Sequence, residues 1–109
     1  MSPLADRSCV PCRGGVPPLP ASRVAELLRE LSGWAAPGDR RLTRRWKLKD
    51  FAAALAFVNR IGALAEEQGH HPDLAFGWGW VEATLWTHKI DGLTESDFVL
   101  AAKIDRLAG

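Results

Sequence analysis

DFAAALAFVNRIGALAEEQGHHPDLAFGWGWVEATLWTH, residues 50–88, is the stretch that decides the fold. Asp50 can cap a helix, and Phe51, Ala54, Leu55, Val58, Ile61 and Ala65 recur at the spacing of one helical face. Gly69 is a natural stop, since the left-handed residue that ends a helix suits glycine. Pro72 biases His71 towards extended backbone, so the helix cannot run on through the histidine pair. Residues 74–78 and 81–88 then read as two strands joined by a tight turn at the glycines, with one long bulged strand as the alternative. In the second strand Val81, Ala83 and Leu85 share one face, while Glu82, Thr84, Trp86 and His88 share the other.

Upstream, Leu42, Arg44, Trp46 and Leu48 have one parity and Arg41, Thr43, Arg45, Lys47 and Lys49 the other. That alternation predicts a strand with one largely buried face and one basic face. Before it, Val24, Leu27, Leu28 and Leu31 predict a helix with Ser22 as its N-cap and Gly33 as its stop. Downstream, Thr94 and Asp97 form a capping box for a last helix whose apolar stripe is Leu100, Ala101, Ile104 and Leu107. Residues 1–20 hold five prolines and two glycines without any period, and read as a flexible N-terminal lead-in. Residues 21–109 form the folded domain. The order helix, strand, helix, two strands, helix predicts an α+β fold of two layers: an antiparallel β-sheet with about three α-helices packed on one face.

A chain of 109 residues is one domain, large enough to bury a core without disulfides or metals. A net charge of +1 gives no global field favouring nucleic acid or an anionic membrane. The basic run from Arg40 to Lys49 reads as a solvated strand face, so no nucleic-acid partner is expected. Neither a membrane-spanning run nor a signal segment is evident, and a cytoplasmic location is the expectation. Cys9 and Cys12 form a lone CxxC without the second pair that a zinc site needs.

All three histidines, His70, His71 and His88, fall within nineteen residues of one another. Histidine is the side chain whose unperturbed pKa, roughly 6.5, lets it give and take protons at neutral pH. His70 and His71 sit just past a helix C-terminus, where the dipole and free carbonyls favour a cationic ring. Three imidazoles can also ligate zinc, but adjacent residues in an extended segment point apart and the HExxH spacing is absent, so no metal and no cofactor are expected. Asp97 could serve only its own helix cap. Glu66 carries a negative charge in the last turn of a helix, which is slightly unfavourable and hints at another role, such as orienting His70. Trp86 shares a face with His88 and could wall a pocket for a flat bicyclic ligand.

Glu66, His70-His71-Pro72, Trp78, His88 and Asp97 together resemble the pterin-4a-carbinolamine dehydratase family. The family pattern is an acidic residue, three residues, His-His-Pro, an aromatic after five residues, a histidine after nine more, then an aspartate. Residues 46–51, WKLKDF, and Gly92-Leu93-Thr94-Glu95 are also similar to the family. The resemblance runs from about Ala21 to the C-terminus. The chain departs from the family at Leu74, where an aromatic is usual, and in Gly77, Gly79 and Trp80.

The resemblance implies a hydro-lyase that dehydrates 4a-hydroxytetrahydropterin to quinonoid dihydropterin in pterin recycling, by histidine acid–base catalysis. It assigns catalysis to His70, His71 and His88, and substrate-binding or supporting roles to Glu66, Pro72, Trp78, Trp86 and Asp97. Of the histidines, His70 and His88 are expected to move the protons and His71 to hold the pterin ring. The competing expectation is a non-catalytic dimerisation or assembly module of the same fold, since family members also act as transcriptional coactivators. An open strand edge predicts a homodimer or homotetramer in either case.

Overall fold

The computed structural model describes residues 4–6 and 17–108. Helix α2 spans Phe51–Gln68, and the Asp50 carboxylate accepts a 2.8 Å hydrogen bond from the Ala53 amide, satisfying one of the donors a helix leaves open. Gly69 ends it at φ 65°, ψ 25°, a left-handed backbone that costs a residue with a Cβ more than it costs glycine. The chain then turns into β2, Asp73–Gly77, and returns through Trp78 and Gly79 into β3, Trp80–Leu85. The two pair antiparallel from Asp73 opposite Thr84 to Gly77 opposite Trp80, so the hairpin forms and the single bulged strand does not. Strand β1, Leu42–Lys47, pairs with the other side of β3, giving the order β1-β3-β2.

Helices α1, Ala21–Leu28, and α3, Glu95–Ala108, complete the α+β fold, with the helices packed on the sheet. Val81, Ala83 and Leu85 of β3 are fully buried and form one core with Leu42 and Trp46 of β1, Ala54, Phe57 and Ile61 of α2, and Phe98 and Ile104 of α3. Trp34, Trp46 and Phe57 meet edge to face at centroid distances of 5.6 and 5.0 Å, an arrangement that ring quadrupoles favour.

Three expectations change. On α2 the buried residues are Ala54, Phe57, Ile61 and Ala65, while Phe51 and Leu55 are open to solvent. The apolar surface of this helix covers more than one face, and spacing cannot say which face meets the sheet. Strand β3 ends at Leu85 rather than His88, because its partners run out: Leu85 already faces the first residue of β1. Thr87 makes an isolated bridge to Gly92, and His88–Ile90 coil into a 3-10 turn. Helix α1 begins one residue before Ser22, with Pro20 at its cap, and ends at Leu28, short of Gly33.

The lead-in is more than a loose tail in its described parts. Leu4 and Ala5 are buried, the Ala5 carbonyl accepts from Lys103 at 2.9 Å, and Asp6 pairs with Arg106 at 2.7 Å, all against α3. Leu4 is an apolar side chain whose burial is worth about 2 kcal/mol, and the proline content gave no sign of it. Leu19 donates its amide to the Leu93 carbonyl at 2.9 Å, and Pro18 lies so close to Gly92 that a Cβ there would sit 2.6 Å from it. Cys9 and Cys12 lie outside the described residues.

Candidate active site

His70 follows the left-handed Gly69, and its ring turns inward to Asp97 at the start of α3, with Nε2 2.6 Å from Oδ1. Asp97 is fully buried. Its second oxygen accepts the Thr87 hydroxyl at 2.8 Å and the Thr94 amide at 2.9 Å. The Thr94 amide bond is the carboxylate half of the expected capping box. The Thr87 and Thr94 hydroxyls lie 3.0 Å apart and complete a compact polar network. Buried carboxylates persist only when so supplied with donors. An ionised carboxylate can only accept, so Nε2 of His70 carries the proton in this pair and Nδ1 is left for exchange.

His71, next in the chain, points the other way, as alternation requires of extended backbone. Its Nε2 pairs with Oε2 of Glu66, and both side chains are largely exposed. The expectation that Glu66 orients His70 is therefore corrected: Glu66 holds His71, and Asp97 holds His70. Asp97 both caps its helix and touches the site.

His88 comes from a separate segment, at the start of the 3-10 turn, with its ring centroid 4.2 Å from that of Trp86 and tilted by 34°. His70, His71 and His88 line one hollow of about 260 Å³ with Gly69, Trp86, Thr87 and Lys89. Its size is near the lower end for small-molecule sites and suits a compact bicyclic ring. Trp86 forms part of the wall, and the Arg41 guanidinium lies 4.3 Å from the centroid of its ring. Arg41 in turn holds the Asp91 carboxyl below its usual range, chiefly by a direct hydrogen bond. Among the described residues, no three His, Cys, Asp or Glu side chains converge as a metal-ligand set. No helix among them is long and apolar enough to cross a membrane.

Four expected site residues do not line the hollow: Asp97 and Glu66, which hold His70 and His71, and Pro72 and Trp78. Pro72 is half-buried behind His71, where it directs the chain into β2. Trp78 is not brought to the histidines; it sits at the tip of the β2–β3 turn with 71% of its surface exposed. The hairpin carries it away from the site by the length of β2, about 17 Å at strand rise. Thr87 and Lys89 were missed. Thr87 was within reach of the sequence, because the inward parity of Val81, Ala83 and Leu85 continues to it and a buried hydroxyl requires a partner.

The family model described as pterin 4 alpha carbinolamine dehydratase matches residues 17–107. A protein of Rubrobacter xylanophilus named as a candidate pterin-4-alpha-carbinolamine dehydratase is 59% identical over 107 residues, 98% of this chain and 100% of that one. A relative from Rickettsia bellii with the same name is 51% identical, over 95% of this chain and 93% of its own. Among solved structures, a transcriptional coactivator/pterin dehydratase from Brucella melitensis superposes with a TM-score of 0.79 at 38% identity, covering 84% of this chain and 99% of that one. A pterin dehydratase-like protein described as a RuBisCO assembly factor in the alpha-carboxysome reaches a TM-score of 0.55 at 34% identity, over 63% of this chain and 80% of its own. A match over nearly the whole folded domain, on a chain that also keeps the histidine pair, the third histidine and both carboxylates, leaves one assignment: this chain belongs to the pterin 4 alpha carbinolamine dehydratase family.

Proposed function

We propose that this protein is a hydro-lyase that dehydrates 4a-hydroxytetrahydropterin to quinonoid dihydropterin, the form that a reductase returns to tetrahydropterin. The observation that carries this reading is the convergence of His70, His71 and His88, from two separate segments, on one small hollow walled by Trp86. Dehydration needs one proton delivered to the departing 4a-hydroxyl and one removed from N5, with water as the only other product. Two imidazoles on opposite sides of a flat ring can do both, each step being worth roughly 10²–10⁴ in rate. His70 exchanges its proton with the pterin ring through Nδ1, while Asp97 holds Nε2 and so fixes the tautomer. His88 serves the other transfer. His71, held outward by Glu66, grips the ring edge, and Trp86 covers its face.

The test is a stopped-flow assay on synthetic 4a-hydroxytetrahydropterin. Dehydration well above the buffer rate, proportional to protein concentration, is the expected result; no acceleration at micromolar protein would end the proposal.

Self-association belongs to the same proposal. Among the described residues no strand pairs with the outer edge of β2, and beside it Phe51, Leu55, Phe76 and Trp78 are the large apolar side chains most open to solvent. Phe51 and Phe76 are in ring contact at 5.7 Å, which joins helix and strand into one apolar patch. Such an edge is best covered by a second copy of the chain, as a dimer or tetramer.

A further inference from the structure

His70 and His71 are each set by a carboxylate, whereas His88 is set by a stack. Its imidazole lies 4.2 Å from the Trp86 centroid, and the Arg41 guanidinium lies 4.3 Å from the same ring. Arg41 stands one step beyond the Leu42–Leu85 pair of the β1–β3 ladder, so the sheet itself brings it beside Trp86. Its Nη2 donates to Oδ1 of Asp91 at 2.8 Å, and Arg40 adds a 3.3 Å bond to the other oxygen. Asp91 closes the short turn that His88 opens, since its amide donates to the His88 carbonyl at 3.3 Å. It does so at φ 48°, a left-handed backbone in which an aspartate is easier to place than most residues. The contacts therefore run in a closed circuit from His88 to Trp86, Arg41, Asp91 and back to His88.

We propose that Arg41 is a positioning residue for the dehydration: clamped by Asp91, it fixes the Trp86 ring and, through it, the plane of the His88 imidazole. The inference rests on the acid–base role given to His88 above. An ion pair as exposed as Arg41–Asp91 adds little to folding, so its effect belongs in the geometry of proton transfer. That geometry is demanding, because a misplacement of about 1 Å can cost up to about a hundredfold in rate. Neither Arg41 nor Asp91 lines the hollow, so replacing them removes none of its lining side chains.

The experiment combines steady-state dehydration kinetics with proton NMR of the His88 ring, assigned using His88→Gln. Arg41→Met keeps an apolar stem on Trp86 and deletes the cation; Asp91→Asn releases the clamp. Each is expected to lower kcat by about tenfold with KM changed by less than about twofold. Their melting temperatures should match wild type. The His88 ring-proton signals, displaced by the Trp86 ring current, should move towards those of free histidine. Trp86→Phe, which keeps a face for stacking, should retain more turnover than Trp86→Leu. Wild-type kcat and unmoved His88 signals in both Arg41→Met and Asp91→Asn would overturn the inference. So would a rise in KM alone, which would make Arg41 a substrate contact. Wild-type turnover in His88→Ala would overturn the acid–base reading itself, and this role for Arg41 with it, whatever the NMR arm gave.

Discussion

Thr87 decides how firmly the inner histidine is held. Its hydroxyl is one of the donors on a carboxylate that has no access to water, and that carboxylate is what His70 leans on. Thr87→Val is nearly isosteric but leaves a buried charged acceptor short of a donor, a loss of about 1–3 kcal/mol. Turnover should fall about tenfold, since His70 loses its fixed support. Thr87→Ser restores the hydroxyl and should recover most of both. Chemical denaturation that finds Thr87→Val as stable as wild type would refute the network. The residue types of this site were legible in the sequence, but their pairing was not. Glu66 lies four residues before His70 and five before His71, and only the turn at Gly69 decides that the outer ring meets it. Trp78 shows the opposite failure: its spacing fits the family pattern, yet the hairpin takes it to the far tip.

Between elements, the contact of α3 with the start of the sheet carries its own pH signature. Asp105 of α3 accepts the Trp34 indole N–H at 2.9 and 3.0 Å and pairs with Arg44 of β1 at 2.8 Å. Burial is the largest influence on this carboxyl and raises its pKa above the usual 3.8, against the opposing pull of Trp34 and Arg44. With the folded value above the unfolded one, the native state holds the proton longer as pH rises. Stability from this group is therefore greatest at low pH, declines between the unfolded and folded values, and is level beyond them. The difference in unfolding free energy between Asp105→Asn and wild type should accordingly shift in favour of Asn as pH rises from the usual carboxylate value to this group's raised one, then flatten. A shift in favour of wild type over that range would contradict the burial of this group. Strand parity and helix spacing made the elements readable, because β1 and β3 each bury one face. The inward face of α2 was not readable, since Phe51, Leu55 and Phe57 differ in burial but not in chemistry.

At the scale of the whole molecule, the open side of α2 and the outer edge of β2, unpaired among the described residues, are the features a single chain does not explain. The apolar patch of Phe51, Leu55, Phe76 and Trp78 predicts a light-scattering mass of two or four chains at micromolar concentration. Phe76→Lys, at a position already open to solvent, should shift that mass towards one chain while the fold is kept. A wild-type mass of one chain throughout would contradict self-association through this edge. The family signature was legible because it is long and mixed in residue type. The N-terminal anchorage was not, because Leu4 carries no period of its own and its burial depends on where α3 comes to lie.

The central claim is that His70 and His88 share the two proton transfers of one dehydration. Its most direct measurement is stopped-flow turnover of 4a-hydroxytetrahydropterin by His70→Ala, His88→Ala and the double variant, each verified as folded. Each single change should lower turnover by roughly 10²–10⁴. The double variant should lose much less than the product of the two, since groups that act as one unit are not additive. Wild-type rates in both single variants would contradict the account and leave the interaction module as the better reading.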